Sequence, residues 1–369
     1  MKFLLLICRW FVGVLFIFSG LVKANDPLGL SYKMQEFFEA WSLNGFHTYT
    51  LALSLLMNTF EIIAGVAVII GWRMRLFSWL LLLLILFFTF LTGYASLATN
   101  VDGTMKFRSC GCFGDCLPLS PNQSFFKDLV LLVFIGFIFY FRNLIKPLFA
   151  KASINLLLII GAAIFAIVLQ WYVLNYLPIV DCLPFKKGSN LIENRKIPAN
   201  AITDKFEYKF IYEKNGEKKE FSLNALPDST WKFADRKQIL IRKGSNNEAK
   251  IKDFDLKTSE GFDLTDSILN QSGIYYLLFI KDVAGLKSSD AWVKVASKLS
   301  ATKNLIIITG QFDALKELLK NDALLKDKTI LVSDVTAIKT AARVVPTLFK
   351  MNGPVVMGKW SVANFDLNE

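Results

Sequence analysis

The residues of this chain best suited to chemistry are its five cysteines, Cys8, Cys110, Cys112, Cys116 and Cys182. Three of them fall in one short run, Arg108-Ser109-Cys110-Gly111-Cys112-Phe113-Gly114-Asp115-Cys116-Leu117-Pro118. Thiolates attack disulfides, so closely spaced cysteines can form, break and pass on disulfide bonds. Gly111 and Gly114 let the backbone turn sharply between the sulfurs. A Cys110–Cys112 bridge would be strained and therefore oxidising. Cys112–Cys116 or Cys110–Cys116 would each close a small loop, and Cys182 is a candidate exchange partner. Redox exchange by Cys110, Cys112 and Cys116 competes with a single static bridge that staples the loop, and residue type alone does not separate the two. We expect no metal site, because the one histidine, His47, lies far from the cysteines in the sequence. An odd number of cysteines leaves at least one thiol unpaired in a monomer.

The elements that must position these sulfurs are long apolar runs. The chain of 369 residues is 53% hydrophobic with 33 Phe, and its apolar residues concentrate before Leu177. A membrane-crossing helix needs about 20 such residues. Five candidates satisfy this: Phe3 to Leu21, Thr48 to Gly71, Leu76 to Leu97, Phe125 to Phe141 and Ile154 to Leu177. A cleaved signal peptide over Met1 to Ala24 is an alternative for the first, opposed by Arg9 within the apolar run. The net charge of +11 does not point to nucleic acid, because the basic residues are scattered or gathered at helix ends without a binding motif. They instead set orientation. With the N-terminus inside, the inner segments hold Lys2, Arg73, Arg75, Arg142, Lys146 and Lys151. The outer ones mix Lys33, Lys106 and Arg108 with Asp26, Glu36, Glu39 and Asp102. This predicts a multi-pass protein of the cell inner membrane, with the cysteine loop and the tail on the extracytoplasmic side. Disulfide chemistry is possible there.

Within the runs, Glu61 is the one carboxylate we read as deep in the membrane, where it must be protonated, paired or facing a polar cavity. Arg9 and Lys23 are the cations available to it. It is a candidate proton acceptor beside a thiol or a quinone, or else half of a structural pair. Cys8 reads as an inert packing residue and Asn58 as a hydrogen-bonding link between helices. Broken helices and paired intramembrane charges, the marks of a transporter, are not legible.

The tail begins at Asp181-Cys182-Leu183-Pro184-Phe185 and continues through a polar stretch read as a linker. Alternation over Glu207 to Tyr212, a turn at Asn215-Gly216, a return over Glu220 to Leu223 and a run over Gln238 to Arg242 predict a small β-rich insert. An α/β pattern follows. Its strands are expected at Ile274 to Ile280, Leu305 to Thr309, Ile330 to Val332 and from Val344 onward, with helices at Asp290 to Leu299, Asp313 to Leu319 and Thr336 to Ala342. Gly353 turns the last strand back toward Val355 to Gly358. This order resembles thioredoxin, and Val345-Pro346-Thr347 resembles its cis-proline loop. The thioredoxin dithiol is missing, since Lys281 to Ser289 holds no cysteine. Without a thiolate there is no dithiol exchange in this domain, so we expect a docking or structural module.

Three motifs in the first half carry a second resemblance. Cys110-Gly111-Cys112-Phe113-Gly114, Ser19-Gly20-Leu21-Val22-Lys23 followed by Asn25-Asp26-Pro27, and Glu61-Ile62-Ile63-Ala64-Gly65 running on to Gly71 resemble the MauE branch of the DoxX-like membrane proteins. The resemblance covers roughly the first 145 residues. It implies a four-helix bundle with a redox-associated role, linked in MauE proteins to methylamine utilisation and the maturation of a disulfide-rich subunit. DoxX relatives imply quinone as an electron acceptor. The fifth helix and the tail depart from the minimal pattern.

The expected architecture is therefore an α-helical membrane bundle followed by a soluble α/β domain. A DoxX/MauE-like four-helix domain spans 1–145 and a fifth transmembrane helix 152–178. A linker and β-rich region spans 185–260, and a thioredoxin-like domain 263–369. The expected partners are the lipid bilayer and an extracytoplasmic cysteine-containing protein. The expected function is a thiol–disulfide or electron relay between that partner and the membrane. A non-enzymatic assembly or maturation factor with a structural disulfide is the alternative.

Overall fold

Helices that are apolar on nearly every face cannot be satisfied by water, and five such helices make up the first half of the chain. The computed structural model describes residues 2–100, 105–107, 109–203, 205–242, 244, 248–288, 296, 299, 304–322 and 325–365. Asp102, Arg108, Ser289 and most of the helix expected over 290–299 lie outside these residues. The five long helices are α1 (Lys2–Asn25), α3 (Thr50–Ile70), α4 (Met74–Leu97), α5 (Pro121–Tyr140) and α6 (Ala152–Tyr176). Each is long and apolar enough to cross a membrane. Between the first two lies α2 (Pro27–Ala40).

α2 has no long apolar run to announce it, although its start is signalled. Asp26 caps it by accepting from the Gly29 amide, and Pro27 occupies its first turn. α5 begins in the same manner, with a reciprocal Ser120/Gln123 capping box and Pro121.

α1 packs along α3, α4 along α5, and α6 against the outer side of α3 and α1. Small residues permit the closest of these approaches. A Cβ on Gly65 would lie 2.7 Å from the Gly13 carbonyl oxygen, and one on Gly13 would lie 2.9 Å from that of Gly65. Arg9 donates to the carbonyls of Val68 at 3.1 Å and Ile69 at 2.8 Å, closing one end of the bundle. At the other end, Asn25 exchanges two hydrogen bonds with the Val180 backbone just beyond α6.

The tail contains two sheets. A three-stranded antiparallel sheet has the order β2-β1-β3, with β1 Lys205–Lys214, β2 Glu217–Ser222 and β3 Lys232–Arg242. It is joined to the larger sheet by segments that include the short helices α7 (Leu191–Arg195) and α8 (Thr265–Leu269). The larger sheet has the order β6-β5-β4-β7-β8. Its strands are β4 (Ile274–Ile280), β5 (Leu305–Thr309), β6 (Ile330–Val332), β7 (Thr347–Asn352) and β8 (Val355–Ser361). β4, β5 and β6 run parallel; β7 and β8 are antiparallel.

Alternation along β4 explains how both faces are covered. Tyr275, Leu277 and Phe279 pack with helix α10 (Val335–Ala341) and with Phe185, Leu191, Phe254 and Leu256. Tyr276, Leu278 and Ile280 pack with helix α9 (Phe312–Leu319) and with Ala296 and Leu299. The stretch read as linker thus contributes to the core, and its backbone pairs with Pro354 and Val356 beside β8. The Val345–Pro346 peptide bond is cis.

The tail is seated on the end of the bundle that carries Asn25 and Val180. Arg343, 5% exposed, reaches Asp26 (Nε to Oδ2 2.8 Å) and Asp115 (Nη2 to Oδ2 2.6 Å). Burial works against its charge, but the two carboxylates outweigh it and raise its pKa. Lys281 donates to the Tyr32 hydroxyl at 3.1 Å, and Lys359 donates to Asp181 at 2.7 Å. Burial pushes the Tyr32 phenol up to about 12, so it stays a neutral partner.

Removing one member of a buried ion pair typically costs roughly 3–5 kcal/mol, because the other charge stays stranded. Arg343→Met is therefore expected to loosen the tail from the bundle, seen as faster amide hydrogen exchange in α2 and α10. Glu220→Gln, which breaks the exposed pair with Lys237, is expected to leave that exchange unchanged.

Candidate functional site

The chain between α4 and α5 folds back onto the bundle instead of projecting from it. Lys106 N–H donates to the Ala98 carbonyl at 2.9 Å, and Phe107 is buried against Phe37 with ring centroids 4.5 Å apart. Gly111 and Gly114 both take positive φ, at 70° and 56°, where a side chain would be strained. The Gly111 backbone also approaches α2, where an added Cβ would lie 3.1 Å from Lys33 Cγ.

These turns place Cys110 among Phe37, Ala95 and Phe107, and Cys112 over the mouth of the four-helix core. Both are free thiols, Cys110 buried and Cys112 half-buried. Burial pushes the Cys110 thiol up to about 12, helped by the neighbouring Cys112. Burial also raises Cys112, but Lys127 and Lys23 oppose that rise.

Below Cys112 lies a compact polar cluster. The Ser19 hydroxyl is 3.0 Å from both the Cys112 carbonyl and Glu61 Oε2. Its single proton can serve one of those oxygens at a time. Glu61 is paired with Lys23, and both are almost fully buried. Lys127 is paired with Asp128, which is completely buried and accepts from the Thr92 hydroxyl at 3.0 Å. Ser19, Lys23, Glu61, Cys112, Lys127 and Asp128 share the lining of a cavity of about 20 Å³, room for about one water molecule.

On its other side the loop borders a much larger space. A cavity of about 390 Å³ lies between α2, α3 and α4, walled by Phe37, Phe38, Trp41, Met57, Phe60 and Phe88. Cys110, Cys112, Lys23 and Lys33 lie at its polar end. Leu53, Leu56 and Phe87, which are exposed on the sides of the spanning helices, also line it.

The third cysteine of the loop is engaged elsewhere. Cys116 is bonded to Cys182, with Cα atoms 4.9 Å apart. Neither small loop closure, Cys112–Cys116 or Cys110–Cys116, is formed. The physical reason is tertiary: Arg343 holds the adjacent Asp115, and Asn25 holds Val180, so Cys182 arrives beside Cys116. Cys182 also lines a polar cleft of about 430 Å³ between bundle and tail, together with Tyr32, Lys33, Asp115, Lys339 and Arg343.

The expected site residues Cys110, Cys112 and Glu61 are thus brought into one neighbourhood, while Cys116 closes a bridge to the tail. Of the two cations expected near Glu61, Lys23 is the partner; Arg9 lies at the opposite end of the bundle. Asp128 was missed as a second buried carboxylate, although Lys127-Asp128 stands out as an adjacent charge pair at the head of an apolar run. The expectation that paired intramembrane charges are lacking is overturned by Lys23–Glu61 and Lys127–Asp128. Asn58 does link helices, donating to Gln170 of α6 at 3.2 Å, and Cys8 is buried. Among the described residues, no group of three or more His, Cys, Asp or Glu side chains could hold a metal ion.

Residues 1–141 match the family model described as methylamine utilisation protein MauE, which supports a MauE-type membrane protein over that stretch. Residues 206–243, covering the three-stranded sheet, match a domain of unknown function (DUF8463). No curated protein and no solved structure matches the chain.

If a protease site is inserted between α5 and α6, the cut halves are expected to migrate together on a non-reducing gel and apart after reduction. In Cys182→Ser they should separate in both cases. Glu61→Gln strands Lys23 and should destabilise the bundle by roughly 3–5 kcal/mol. In thermal unfolding, the double variant Lys23→Met/Glu61→Leu should recover most of that loss.

Proposed function

We propose that this chain is a membrane-embedded thiol–disulfide relay whose cysteine loop joins a water-facing disulfide to a lipid-facing dithiol. One observation carries the reading. Within a single loop, Cys116 is bridged at the edge of a polar cleft, while Cys110 and Cys112 stand as free thiols against an apolar cavity. A partner dithiol reaching the cleft would reduce Cys116–Cys182, becoming a disulfide itself and leaving two thiols. Exchange with a Cys110–Cys112 disulfide would restore the bridge and move the two electrons inward.

The residues around the inner pair fit a quinone as the acceptor. The cavity falls within the size range of small-molecule sites, roughly 300–1,000 Å³, and is walled by aromatic rings. When bound there, a quinone would supply a sink for two electrons and two protons. Lys23, Glu61 and Ser19 would hold the proton traffic at Cys112. The MauE match over the bundle agrees with a role linked to methylamine utilisation and redox maturation.

We assign the tail as a thioredoxin-like docking domain. Its support is the strand order of the large sheet, with Lys281 and Arg343 turned onto α2 and the cysteine loop. We place the loop and tail outside the cytoplasm at the inner membrane. The clustering of Arg73, Arg75, Arg142, Lys146 and Lys151 at the far end of the bundle supports this orientation, as does a disulfide. The second reading, an assembly factor, is favoured by one fact: Cys116–Cys182 ties the loop to the tail across the same junction as Arg343, as a staple would.

Trapping separates the two. Cys182→Ser leaves Cys116 able to hold a partner as a mixed disulfide, and a relay predicts such an adduct from intact cells, removed by reductant. Thiol labelling should also find Cys110 and Cys112 oxidised when the respiratory chain is oxidised and reduced when it is blocked. A Cys116–Cys182 bridge and a Cys110/Cys112 pair that never change state under either condition would establish the staple.

A further inference from the structure

We propose that Cys112, not Cys110, is the sulfur of the inner pair that exchanges with Cys116, as nucleophile when the pair is a dithiol and as the sulfur attacked when it is a disulfide, and that Lys127 is the residue that positions positive charge on it. The inference rests on the relay reading and assigns roles within it. Two cysteines separated by one glycine would be chemically alike in a solvated loop. Here they point into different surroundings.

Cys110 is buried among Phe37, Ala95 and Phe107, a cluster against which Cys112 also packs, and both thiols border the larger cavity. Of the two, Cys112 alone also lines the small cavity shared with both buried ion pairs. The charged and titratable groups facing Cys112 come from every element packed on it. They are Lys23 of α1, Lys33 of α2 across the larger cavity, Glu61 of α3, Lys127 and Asp128 of α5, and Cys110 in the loop. α4 contributes only Thr92.

Lys33 is committed to Glu36 at 2.8 Å, and the other two lysines are matched by two carboxylates. The cluster therefore has no net charge, and position decides. Burial raises the Cys112 thiol, Lys127 and Lys23 oppose that rise, and Asp128 adds to it. Lys127 is paired with Asp128, which accepts from Thr92, and the Lys127 ammonium is also held over the loop, 5.4 Å from the Phe113 ring centroid, one residue from Cys112. A pair in which one thiol alone borders the small cavity with Lys23 and Lys127 has a built-in order of attack.

The Cys112 thiolate attacks the Cys116 sulfur, the Cys116–Cys182 bond breaks, and Cys182 leaves as a thiolate that takes a proton. Cys110, losing its proton, then attacks Cys112, forming Cys110–Cys112 and releasing Cys116 as a thiol. Two thiols are oxidised and one disulfide is reduced. In the relay direction the Cys116 thiolate attacks Cys112 of the Cys110–Cys112 disulfide, Cys110 leaves and takes a proton, and Cys182, losing its proton, attacks Cys116 to restore the bridge and release Cys112 as a thiol.

The test uses the full chain in detergent micelles, iodoacetamide as probe, and mass spectrometry to follow each cysteine between pH 6.5 and 9.5. Cys112 should alkylate at least about tenfold faster than Cys110, with Cys8 as a buried reference. Lys127→Met should move the Cys112 profile up by about one pH unit, about tenfold slower at a given pH below the midpoint. Lys127→Arg should stay within about twofold of the native rate, and Asp128→Asn should speed alkylation. A merely structural role cannot give opposite signs at neighbouring residues. Cys110 reacting as fast as Cys112, equal effects of Lys127→Met and Lys127→Arg, or slowing by Asp128→Asn would each overturn the proposal. If Lys127→Met does not fold, the Lys127→Arg and Asp128→Asn results decide. A selectively reactive Cys112 in a pair that is never oxidised in membranes would end the relay reading and leave this one standing. A pair that cycles with Cys110 the faster thiol would do the reverse.

Discussion

The Lys23–Glu61 ion pair is what allows a polar loop to sit in the mouth of an apolar bundle. Charges at that depth are tolerated only when paired and hydrogen-bonded. Once Lys23 and Glu61 satisfy each other, the Ser19 proton is free for the Cys112 carbonyl. The loop is thereby anchored to α1 through a hydroxyl and not through packing alone. Lys127–Asp128, tied to α4 by Thr92, repeats the arrangement on the other side of the bundle. Between them the two pairs define the floor beneath Cys112 and leave Cys110 to the apolar wall.

A second set of contacts holds the tail over that loop. Arg343 reaches Asp26 at the start of α2 and Asp115 beside Cys116, so one guanidinium links the tail, the helix cap and the cysteine loop. Its fork of donors suits two carboxylates at once. Lys281 and Lys359 add bonds to Tyr32 and Asp181 on either side. The covalent link between Cys116 and Cys182 lies inside this polar frame, at the edge of the cleft between bundle and tail. The dithiol two turns of the loop away faces aromatic rings. The site is therefore polar on one side and apolar on the other.

Much of this was readable from residue patterns. The five spanning helices begin and end within a few residues of the apolar runs that announced them, since a run of about 20 apolar residues has few other fates. Strands β4, β5 and β6 coincide with the expected Ile- and Leu-rich stretches, as buried parallel strands do. α2 was less legible because its apolar face is broken by Ser31, Lys33 and Gln35, and only its Asp26-Pro27 start marked it. The segment taken as linker was misread for a similar reason: Phe185 and Leu191 are isolated apolar residues in polar surroundings, and nothing local says that they pack under a sheet made by chain beyond residue 270.

By itself, then, the sequence determined what is local or periodic: the spanning helices, the alternation of the strands, and three sulfurs crowded around two glycines. The tertiary structure alone decided what depends on distant chain meeting. It chose Cys182 over the nearer cysteines as the partner of Cys116, Lys23 over Arg9 as the partner of Glu61, and it brought Asp128 beneath Cys112 and Arg343 onto Asp115. Pairing of this kind is set by which helix ends converge in space, and separation along the chain carries no record of that convergence.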